Sequence, residues 1–462
     1  MNKERQFPGR DHWQLWVAVA AFCLVALWFV WRVLWPAATA LTHGFGAYYS
    51  ASRLLSGGEL SADIYDPAYF RPIVQQDSQG QINDIYNANP PTTTLMFWPL
   101  SFLPIRQARL VWTFANLAFL AAGLGLLLSA FGIPLRERRY WPVGLLVFTI
   151  GLLLRPVVQN FMLGQAYVLV FFLFSITTAA FFKTQPPITE QEVRSKRQEA
   201  RSKSSYPSPI TQLPNYPITQ SAGAISLALS LLLKTAGWPL LILLLWLRKG
   251  WFLAWGVGFG LLVFLVTLPI FPLEMWTAFG RLLSQVSRSP FICVPAYQTT
   301  RSWLCHLFAP GVFWQEAETA GIAIPAPATA AYFVLGAVCL LVLLRLARRR
   351  PAAAFIGLVC WGILFLPLGE VHHHTVMLIP LVWFVAGWPR YNWIGRMIVV
   401  LAAVCYLLPF PVNTPQLQSG WLSLLAYPYL AAAWLIFLGV LKEGRASTGL
   451  RQAQPSLSEV IN

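Results

Sequence analysis

Long apolar segments separated by short polar connections follow one another along most of the chain. A helix needs about 20 apolar residues to cross a bilayer, and a tilted or broken helix departs from that length. By this criterion we predict about twelve transmembrane helices, within a range of roughly 10 to 13. The predicted spans are residues 13–35, 108–131, 141–154, 162–182, 222–234, 236–247, 251–271, 328–345, 352–368, 374–388, 394–410 and 421–441. The pattern therefore predicts an all-α polytopic membrane protein.

The first connection, residues 41–107, differs from the others in length and composition. It mixes tyrosines, carboxylates and amides with a Pro-Pro turn. A loop of this length that is not of low complexity usually carries packed structure of its own, so we predict a structured first loop. Within it, residues 92–103 are apolar but short and bounded by prolines. This piece is expected to lie in the membrane interface or to re-enter from it.

The composition agrees with a membrane protein and argues against a nucleic-acid partner. Hydrophobic residues make up 57% of the chain and charged residues 11%, whereas soluble domains carry about 25% charged residues. The net charge of +16 comes mainly from Lys and Arg in the short connections, where such residues act as topology signals. We therefore expect membrane lipids, and no nucleic acid, among the partners.

The basic connections also predict the orientation. With twelve spans, seven Lys/Arg clusters all fall on the side of the N-terminus, and the positive-inside rule makes that side the cytoplasm. We expect an integral plasma membrane protein with both termini cytoplasmic. Residues 13–35 are too long for the apolar core of a cleavable signal and form a retained first span. The larger connections predicted on the outer face are 41–107 and 272–327.

Two segments lack the composition of a packed core. Residues 183–221 are rich in Pro, Ser and mixed charges, which predicts a disordered cytoplasmic linker. Residues 442–462 predict a disordered cytoplasmic tail for the same reason. We therefore expect an N-terminal membrane part, residues 1–182, and a C-terminal membrane part, residues 222–441.

Two groups of candidate functional residues lie near the predicted outer face. Lys234 stands between two apolar runs, where an ammonium is costly unless it snorkels to the surface or meets an anion such as a phosphate. Glu370 and His372–His374 lie between two spans. Three consecutive histidines cannot face one way on a helix, which argues against a metal site. We expect instead that one histidine and Glu370 face a common site, with plain interfacial polar residues as the alternative.

Further candidates come from the outer loops. Arg301 could bind a phosphate or lipid headgroups, and Gln165 belongs to a polar turn between two short spans. Tyr48 and Tyr49 supply the flat faces and hydroxyls that sugar sites often need. The first loop also offers candidate bases, although solvated carboxylates are the simpler interpretation of each: Glu59, Asp63, Asp66, Asp77 and Asp84.

Several familiar chemistries are absent from the sequence. It contains no GxxxxGK[ST] phosphate loop, no GxSxG elbow and no HExxH or CxxC spacing, so we expect no metal and no cofactor. Cys293 and Cys305 share the loop 272–327 and could pair in an oxidising compartment. The other four cysteines lie in apolar spans, where Cys behaves as a small hydrophobe.

Taken in order, short blocks of the chain resemble glycosyltransferase family 87, the DUF2029 group. That group includes polyprenyl-phosphate-mannose-dependent mannosyltransferases of the GT-C superfamily. The resemblance rests on order and spacing. The blocks are FGAYYSA at 45–51, LLSG at 54–57, YDP at 65–67, NPP at 89–91, WPL at 98–100, LP at 103–104, GQ at 164–165, Lys234, HH at 372–373 and LIP at 378–380. The stretch YQT at 297–299 is loosely similar to a further block.

The resemblance implies a GT-C-like fold and an enzyme that needs no metal. It implies transfer of a hexose, with mannose as the expected sugar, from a polyprenyl-phosphate donor to a lipid or glycan acceptor at the outer face. An inverting transfer needs a base for the acceptor hydroxyl and cations for the leaving phosphate. Glu370 and Asp66 are the expected bases. The expected substrate-binding residues are Lys234, Arg301, His372, His373, Tyr48, Tyr49 and Gln165.

One position departs from the family pattern. The resemblance implies an Asp before Phe45 as the catalytic base, and this chain has Gly44 there. Either another carboxylate serves, for which we name Glu59, Asp63, Asp66 and Glu370, or the activity is lost or altered.

Two other function classes therefore stay open. One is a pseudoenzyme that binds a prenyl-linked sugar, and the other is a transporter or flippase for a lipid-linked substrate. Transporters use midplane polar sites formed by broken helices. Here the polar residues collect at one face, which favours the enzyme.

Overall fold

The fold was obtained as a computed structural model, which describes residues 10–183, 217–409 and 414–446. Within these ranges the fold is helical, and a single β-bridge joins Tyr297 to Glu370. Most of the predicted linker, residues 184–216, and the tail from residue 447 lie outside the described residues. The helix that begins at Pro217 and the helix that ends at Ala446 both extend beyond the predicted spans.

The N-terminal part contains nine α-helices between residues 10 and 183. They are α1 (Arg10–Phe29), α2 (Trp35–Thr39), α3 (Phe45–Gly57), α4 (Pro67–Asp77), α5 (Thr93–Phe97), α6 (Ile105–Ala130), α7 (Trp141–Leu153), α8 (Arg155–Leu163) and α9 (Tyr167–Lys183). A π-helical turn, Val30–Leu34, joins α1 to α2. The first loop is structured as predicted, because α3, α4 and α5 all lie within it.

The C-terminal part contains ten α-helices in the residues described from 217 onward. They are α10 (Pro217–Lys234), α11 (Trp238–Trp246), α12 (Gly250–Thr267), α13 (Leu273–Arg288), α14 (Thr300–Phe308), α15 (Ala326–Ala347), α16 (Pro351–Leu364), α17 (Leu378–Ala386), α18 (Trp393–Leu407) and α19 (Pro428–Ala446). A 3-10 helix, Val371–Met377, leads into α17.

Each of the twelve predicted spans contains a helix, but most of these helices are short. Four are long and apolar enough to cross a membrane, and α7 with α8 forms a fifth candidate bent by 55°. The helices α11 and α17 have nine residues each. At 1.5 Å per residue they span about 14 Å, well under the roughly 30 Å of a hydrocarbon core. The structure therefore supports an all-helical protein with four to five candidate spans, and twelve remains a prediction.

Helix α9 lies at the centre of the bundle. It packs against α6 on one side and α10 on another, and 13 of its 17 residues are buried. Such a helix has no polar face, because protein surrounds it on nearly all sides. In contrast, α1, α12 and α15 expose many large apolar side chains, as expected of surfaces that face lipid. The first residue of α9, Tyr167, therefore lies where several elements meet.

The loop 272–327 forms a small core of its own. Ile292, Tyr297 and Trp314 pack together there, and a disulfide joins Cys293 to Cys305. The pairing that the sequence left open is thus present. It ties the segment before Tyr297 to α14.

Candidate active site

Lys234 is the last residue of α10, at a tight turn into α11. The turn needs unusual backbone, since Thr235 has a φ of 51°. A Cβ at Gly237 would lie 2.8 Å from the Ser230 hydroxyl, so only glycine lets the turn pack this closely. Pro239 then opens α11, where a missing N–H costs nothing. This turn leaves Lys234 half-buried.

The first loop docks on the C-terminal end of α10. The Thr92 hydroxyl donates to the Leu232 carbonyl at 2.5 Å, and the Thr93 hydroxyl donates to the Leu233 carbonyl at 2.7 Å. Carbonyls in the last turn of a helix have no partner within the helix, so outside donors satisfy them. The docking brings the Asn-Pro-Pro block against Lys234.

Asn89 is the direct partner of Lys234. The Lys234 ammonium donates to Oδ1 of Asn89 at 2.5 Å. Two tyrosines hold the Asn-Pro backbone in place. The Tyr65 hydroxyl donates to the Asn89 carbonyl at 2.9 Å, and the Tyr86 hydroxyl donates to the Pro90 carbonyl at 3.1 Å. The loop tyrosines thus serve to position Asn89.

Two aromatic rings lie beside the Lys234 ammonium. Its Nζ atom is 4.9 Å from the centroid of the Tyr48 ring and 5.6 Å from that of Tyr167. A cation over an aromatic face is stabilised by about 0.5–2 kcal/mol. The Tyr48 ring also stacks on Phe97, and its hydroxyl donates to Oε1 of Gln165 at 2.7 Å. Tyr48 and Gln165, both predicted site residues, therefore meet next to Lys234.

The turn that carries Gln165 is fixed from α6. Gly164 ends α8 with a φ of 66°, and a Cβ there would overlap the Arg109 guanidinium. Arg109 donates to the Phe161 carbonyl at 2.7 Å, and the Trp112 indole donates to the Gly164 carbonyl at 2.9 Å. These bonds satisfy the carbonyls at the end of α8, so the position of Gln165 is well defined.

His372 and His373 pack against the second ring, Tyr167. The ring centroids of Tyr167 and His373 are 4.1 Å apart, and those of Tyr167 and His372 are 5.5 Å apart. Burial lowers the pKa of both histidines, so both are neutral at pH 7. Within the described ranges, Nδ1 of each has no hydrogen-bond partner. A neutral imidazole can still donate one N–H to a ligand.

His374 has a different role from its two neighbours. Its Nδ1 atom is 2.9 Å from the Tyr406 hydroxyl, and its Nε2 atom is 3.1 Å from the Gln298 carbonyl. Both ring nitrogens thus have partners in the protein. The same stretch bridges Tyr297 to Glu370, so the residues around Gln298 hold the turn that carries Glu370.

Glu370 faces the same space. Its Oε2 atom is 3.5 Å from Nδ1 of His372, and 46% of its side chain is accessible. Although part of the side chain is accessible, the surrounding protein removes water from the carboxyl and raises the pKa of Glu370. The Lys234 charge acts to lower this pKa, and the Asp84 charge acts to raise it. Lys234, Asp84 and Glu370 are therefore close enough to interact.

A hydrogen bond from the Gly44 backbone connects Asp84 to the site. Oδ2 of Asp84 accepts the Gly44 N–H at 2.5 Å, and Oδ1 accepts the Ile85 N–H at 2.9 Å. In the sequence Asp84 stands out only as one loop carboxylate among several, and Tyr167 was not among the predicted site residues. Two signals could have found them. Asp84 lies five residues before Asn89, and Tyr167 lies two residues after Gln165.

Three predicted residues make their contacts elsewhere. Asp66 is exposed and caps α4, since its Oδ1 accepts the Ala68 N–H at 2.8 Å. The Tyr49 hydroxyl donates to the Leu103 carbonyl at 2.7 Å, so Tyr49 holds the end of the first loop. Arg301 is buried in α14, and its guanidinium lies 5.7 Å from the Tyr332 ring centroid.

The residues that the structure brings together form one group. We call them the Lys234 cluster: Lys234, Asn89, Tyr48, Gln165, Tyr167, His372, His373, Glu370 and Asp84. An apolar cleft between α9, α11 and α16 is lined by Tyr167, Phe174, Pro239, Leu358 and Val376. Among the described residues, no three His, Cys, Asp or Glu side chains are grouped to hold a metal. The cluster thus combines a lysine, neutral imidazoles and two carboxylates next to an apolar cleft.

Comparison with known proteins identifies the family. Residues 87–369 match glycosyltransferase family 87, which covers more than half of the chain and includes Asn89, Gln165, Tyr167 and Lys234 of the Lys234 cluster. The resemblance seen in the short blocks is thereby confirmed. No curated protein and no solved structure matches the chain.

Proposed function

Because the chain belongs to glycosyltransferase family 87, we propose that it moves a hexose from a polyprenyl-phosphate donor to a lipid or glycan acceptor. Mannose is the first sugar to test, and the outer face of the plasma membrane is the proposed place. The observation that carries this proposal is the position of Lys234. Its ammonium is held by an uncharged amide and two aromatic rings beside a cleft lined by apolar side chains.

Lys234 is suited to hold the donor phosphate. An ammonium has three N–H donors, and one is directed to Asn89. The other two are available to phosphate oxygens, for which an ammonium is a good point-charge partner. His372 and His373 would each add a neutral N–H beside Tyr167. Arg301 is left out of this assignment because its guanidinium lies over Tyr332.

The apolar cleft supports a lipid-linked donor. Tyr167 lines this cleft, and the centroid of its ring lies 5.6 Å from the Lys234 Nζ atom. A prenyl chain is a branched hydrocarbon, and its transfer from water to apolar surroundings is favourable by about 25 cal/mol for each Å² buried. A donor bound with its phosphate at Lys234 would place the start of its prenyl chain beside the apolar side chains that line this cleft. A free nucleotide sugar would leave the cleft unused.

The reaction needs few groups. The acceptor hydroxyl oxygen attacks the anomeric carbon while a carboxylate of the cluster takes the hydroxyl proton. The bond from the anomeric carbon to the phosphate oxygen breaks, and polyprenyl phosphate leaves with the electron pair. Lys234, His372 and His373 stabilise the negative charge that develops on this oxygen, the type of effect that usually contributes most to catalysis. The sugar is transferred with inversion.

The test uses donors that differ only in their sugar. Polyprenyl-phosphate-[¹⁴C]mannose, -glucose and -galactose are given to membranes from cells that make the protein and from cells that lack it. We expect one donor to label a new lipid or glycan only where the protein is present. No labelled product from any donor would overturn the proposal.

The same assay separates the other function classes. A transporter would move the intact labelled donor into sealed vesicles without forming a new compound. A pseudoenzyme would bind the donor and return it unchanged. Either result would refute the proposed transfer.

A further inference from the structure

We infer that Asp84 is the catalytic base, the carboxylate that takes the proton of the acceptor hydroxyl. The inference rests on the proposed glycosyl transfer and names the residue that performs its first step. It comes from the contacts of Asp84 with Gly44 and from the arrangement of the Lys234 cluster.

The backbone at Gly44 leaves no room for a side chain. Gly44 has a φ of +87°, a conformation that L residues rarely adopt. A Cβ there would overlap Nε2 of Gln165 and would lie 3.1 Å from the Leu163 carbonyl oxygen. The close approach directs the Gly44 N–H at Asp84, 40 residues later in the chain. Residue 44 therefore cannot carry a carboxylate, and Asp84 places one next to it.

The contacts of Asp84 orient its carboxylate without saturating it. A carboxylate has about four lone-pair sites. The Gly44 and Ile85 N–H groups use one on each oxygen. Both donors are backbone N–H groups, so their positions do not depend on side-chain rotamers. The remaining lone pairs can accept a proton from a bound hydroxyl.

Asp84 and the proposed phosphate ligands are connected to the cluster through different residues. Tyr48 has its ring by Lys234 and its hydroxyl on Gln165, and Gln165 packs against Gly44, which binds Asp84. The two histidines pack against Tyr167, which also lines the apolar cleft. An inverting displacement needs the base and the leaving group on different sides of the anomeric carbon. We therefore assign the base to Asp84 and the stabilisation of the leaving phosphate to Lys234 and the histidines.

Glu370 belongs with the leaving group instead. Its carboxylate is 3.5 Å from Nδ1 of His372, and its backbone is bridged to Tyr297. A carboxylate in this place can orient the imidazole that faces the phosphate. Glu370 therefore serves as the matched carboxylate against which Asp84 is tested.

The hydroxyl proton moves to a free lone pair of the Asp84 carboxylate as the acceptor oxygen forms its bond to the anomeric carbon. The electron pair of the breaking bond goes to the phosphate oxygen of polyprenyl phosphate. Asp84 then releases its proton to solvent when the products leave. No oxidant, reductant or further reactant takes part.

The experiment compares Asp84→Asn and Glu370→Gln in the full-length protein in lipid nanodiscs, with the hexose donor that the wild type uses. A general base typically contributes about 10²–10⁴-fold. We expect Asp84→Asn to lower kcat by about 10³-fold and to leave KM for the donor within about threefold. Glu370→Gln should mainly raise KM for the donor, because it disturbs the phosphate side. A kcat for Asp84→Asn within about tenfold of the wild type would overturn the inference.

A second measurement keeps the inference testable if Asp84→Asn folds poorly. Formate added to Asp84→Ala should restore part of the transfer rate, because a small carboxylate can enter the vacated space and take the proton. It should not rescue Lys234→Ala. Rescue of Glu370→Ala and not of Asp84→Ala would assign the base to Glu370. An inactive wild type would refute the proposed function itself, whereas an active wild type with an active Asp84→Asn would refute only this inference.

Discussion

The Lys234 ammonium donates to Oδ1 of Asn89, which lies 145 residues earlier in the chain, at 2.5 Å. This bond joins the end of α10 to the first loop. Asn89 is uncharged, so it orients the ammonium and leaves the positive charge in place. A carboxylate at the same position would neutralise the charge that a phosphate needs. The hydrogen bond therefore orients Lys234 and leaves its ammonium available to an anion.

Replacing Lys234 should remove most of the transfer activity. We expect Lys234→Ala to lower kcat/KM by about 10²–10³-fold, since loss of one charge-stabilising donor typically has this effect. The measurement is the initial rate of labelled product in nanodiscs. Lys249→Ala is the matched control because Lys249 is exposed at the next connection, and it should change the rate less than twofold. Equal rates for the two variants would remove Lys234 from the site.

Substitution of Asn89 should act through Lys234. Asn89→Ala should lower kcat/KM by about tenfold, because the ammonium loses the partner that orients it, and a hydrogen bond to a charged group is worth about 1.5–3 kcal/mol. Asn89→Asp should raise KM for the donor, because the new carboxylate competes with the phosphate.

A double-mutant cycle checks the coupling between these residues. Once Lys234 is Ala, the further change Asn89→Ala should have little effect, since residues in direct contact are not additive. Additive losses would show that Asn89 acts independently of Lys234.

Much of this site could be predicted from the sequence, because a few of its residues are polar and lie in otherwise apolar surroundings. Lys234 between apolar runs is costly without a partner, and the Gly-Gln and His-His pairs stand alone among apolar residues. Runs of apolar residues also located a helix in each of the twelve predicted spans. They could not decide how many of these helices cross the bilayer, since where a helix such as α8 or α11 begins and ends depends on local geometry.

The remainder of the site depends on contacts between distant segments. Nothing near Asp84 in the sequence shows that the Gly44 N–H is its partner, since that contact follows from the close approach of Gly44 to Gln165. Asp66 looked equally suitable until its place as the cap of α4 was known. Sequence spacing can identify candidate carboxylates, but it cannot show which of them lies in the site.

The stability of the protein should depend on pH through Glu370. Burial raises the pKa of this carboxyl, so the folded state holds the proton to a higher pH than the unfolded state does. Stability therefore falls as pH rises from the ordinary glutamate pKa through the raised one, and then levels off. Thermal unfolding in detergent, between about pH 4 and pH 8, should show a wild-type Tm that declines relative to Glu370→Gln over this interval.

The variant Lys234→Met supplies the control for this prediction. Because the Lys234 charge lowers the pKa of Glu370, its removal should extend the decline to higher pH. A difference in Tm between wild type and Glu370→Gln that does not vary with pH would contradict the prediction.

The disulfide should stabilise the loop 272–327. Cys293 and Cys305 are separated by 12 residues, and closing a loop of this size contributes about 3 kcal/mol in the chain-entropy description. We expect the double variant Cys293→Ser, Cys305→Ser to have a lower Tm, and we expect reductant to lower the Tm of the wild type alone. Cys23→Ser is the control, because Cys23 is an exposed free cysteine. A reductant effect that persists in the double variant would contradict this role.

The close approach of Gly44 to Gln165 bears on how active and inactive homologues are told apart. Judged by its alignment column, position 44 marks the chain as a degenerate copy, since it carries no acidic group. In the structure, the Asp84 carboxylate accepts the Gly44 N–H, so under the inference above another segment supplies the base next to this glycine. Gaining a side chain at 44 would then require a change at 165, so the two positions are expected to vary together. A survey that scores position 44 alone would class such chains as inactive without considering Asp84.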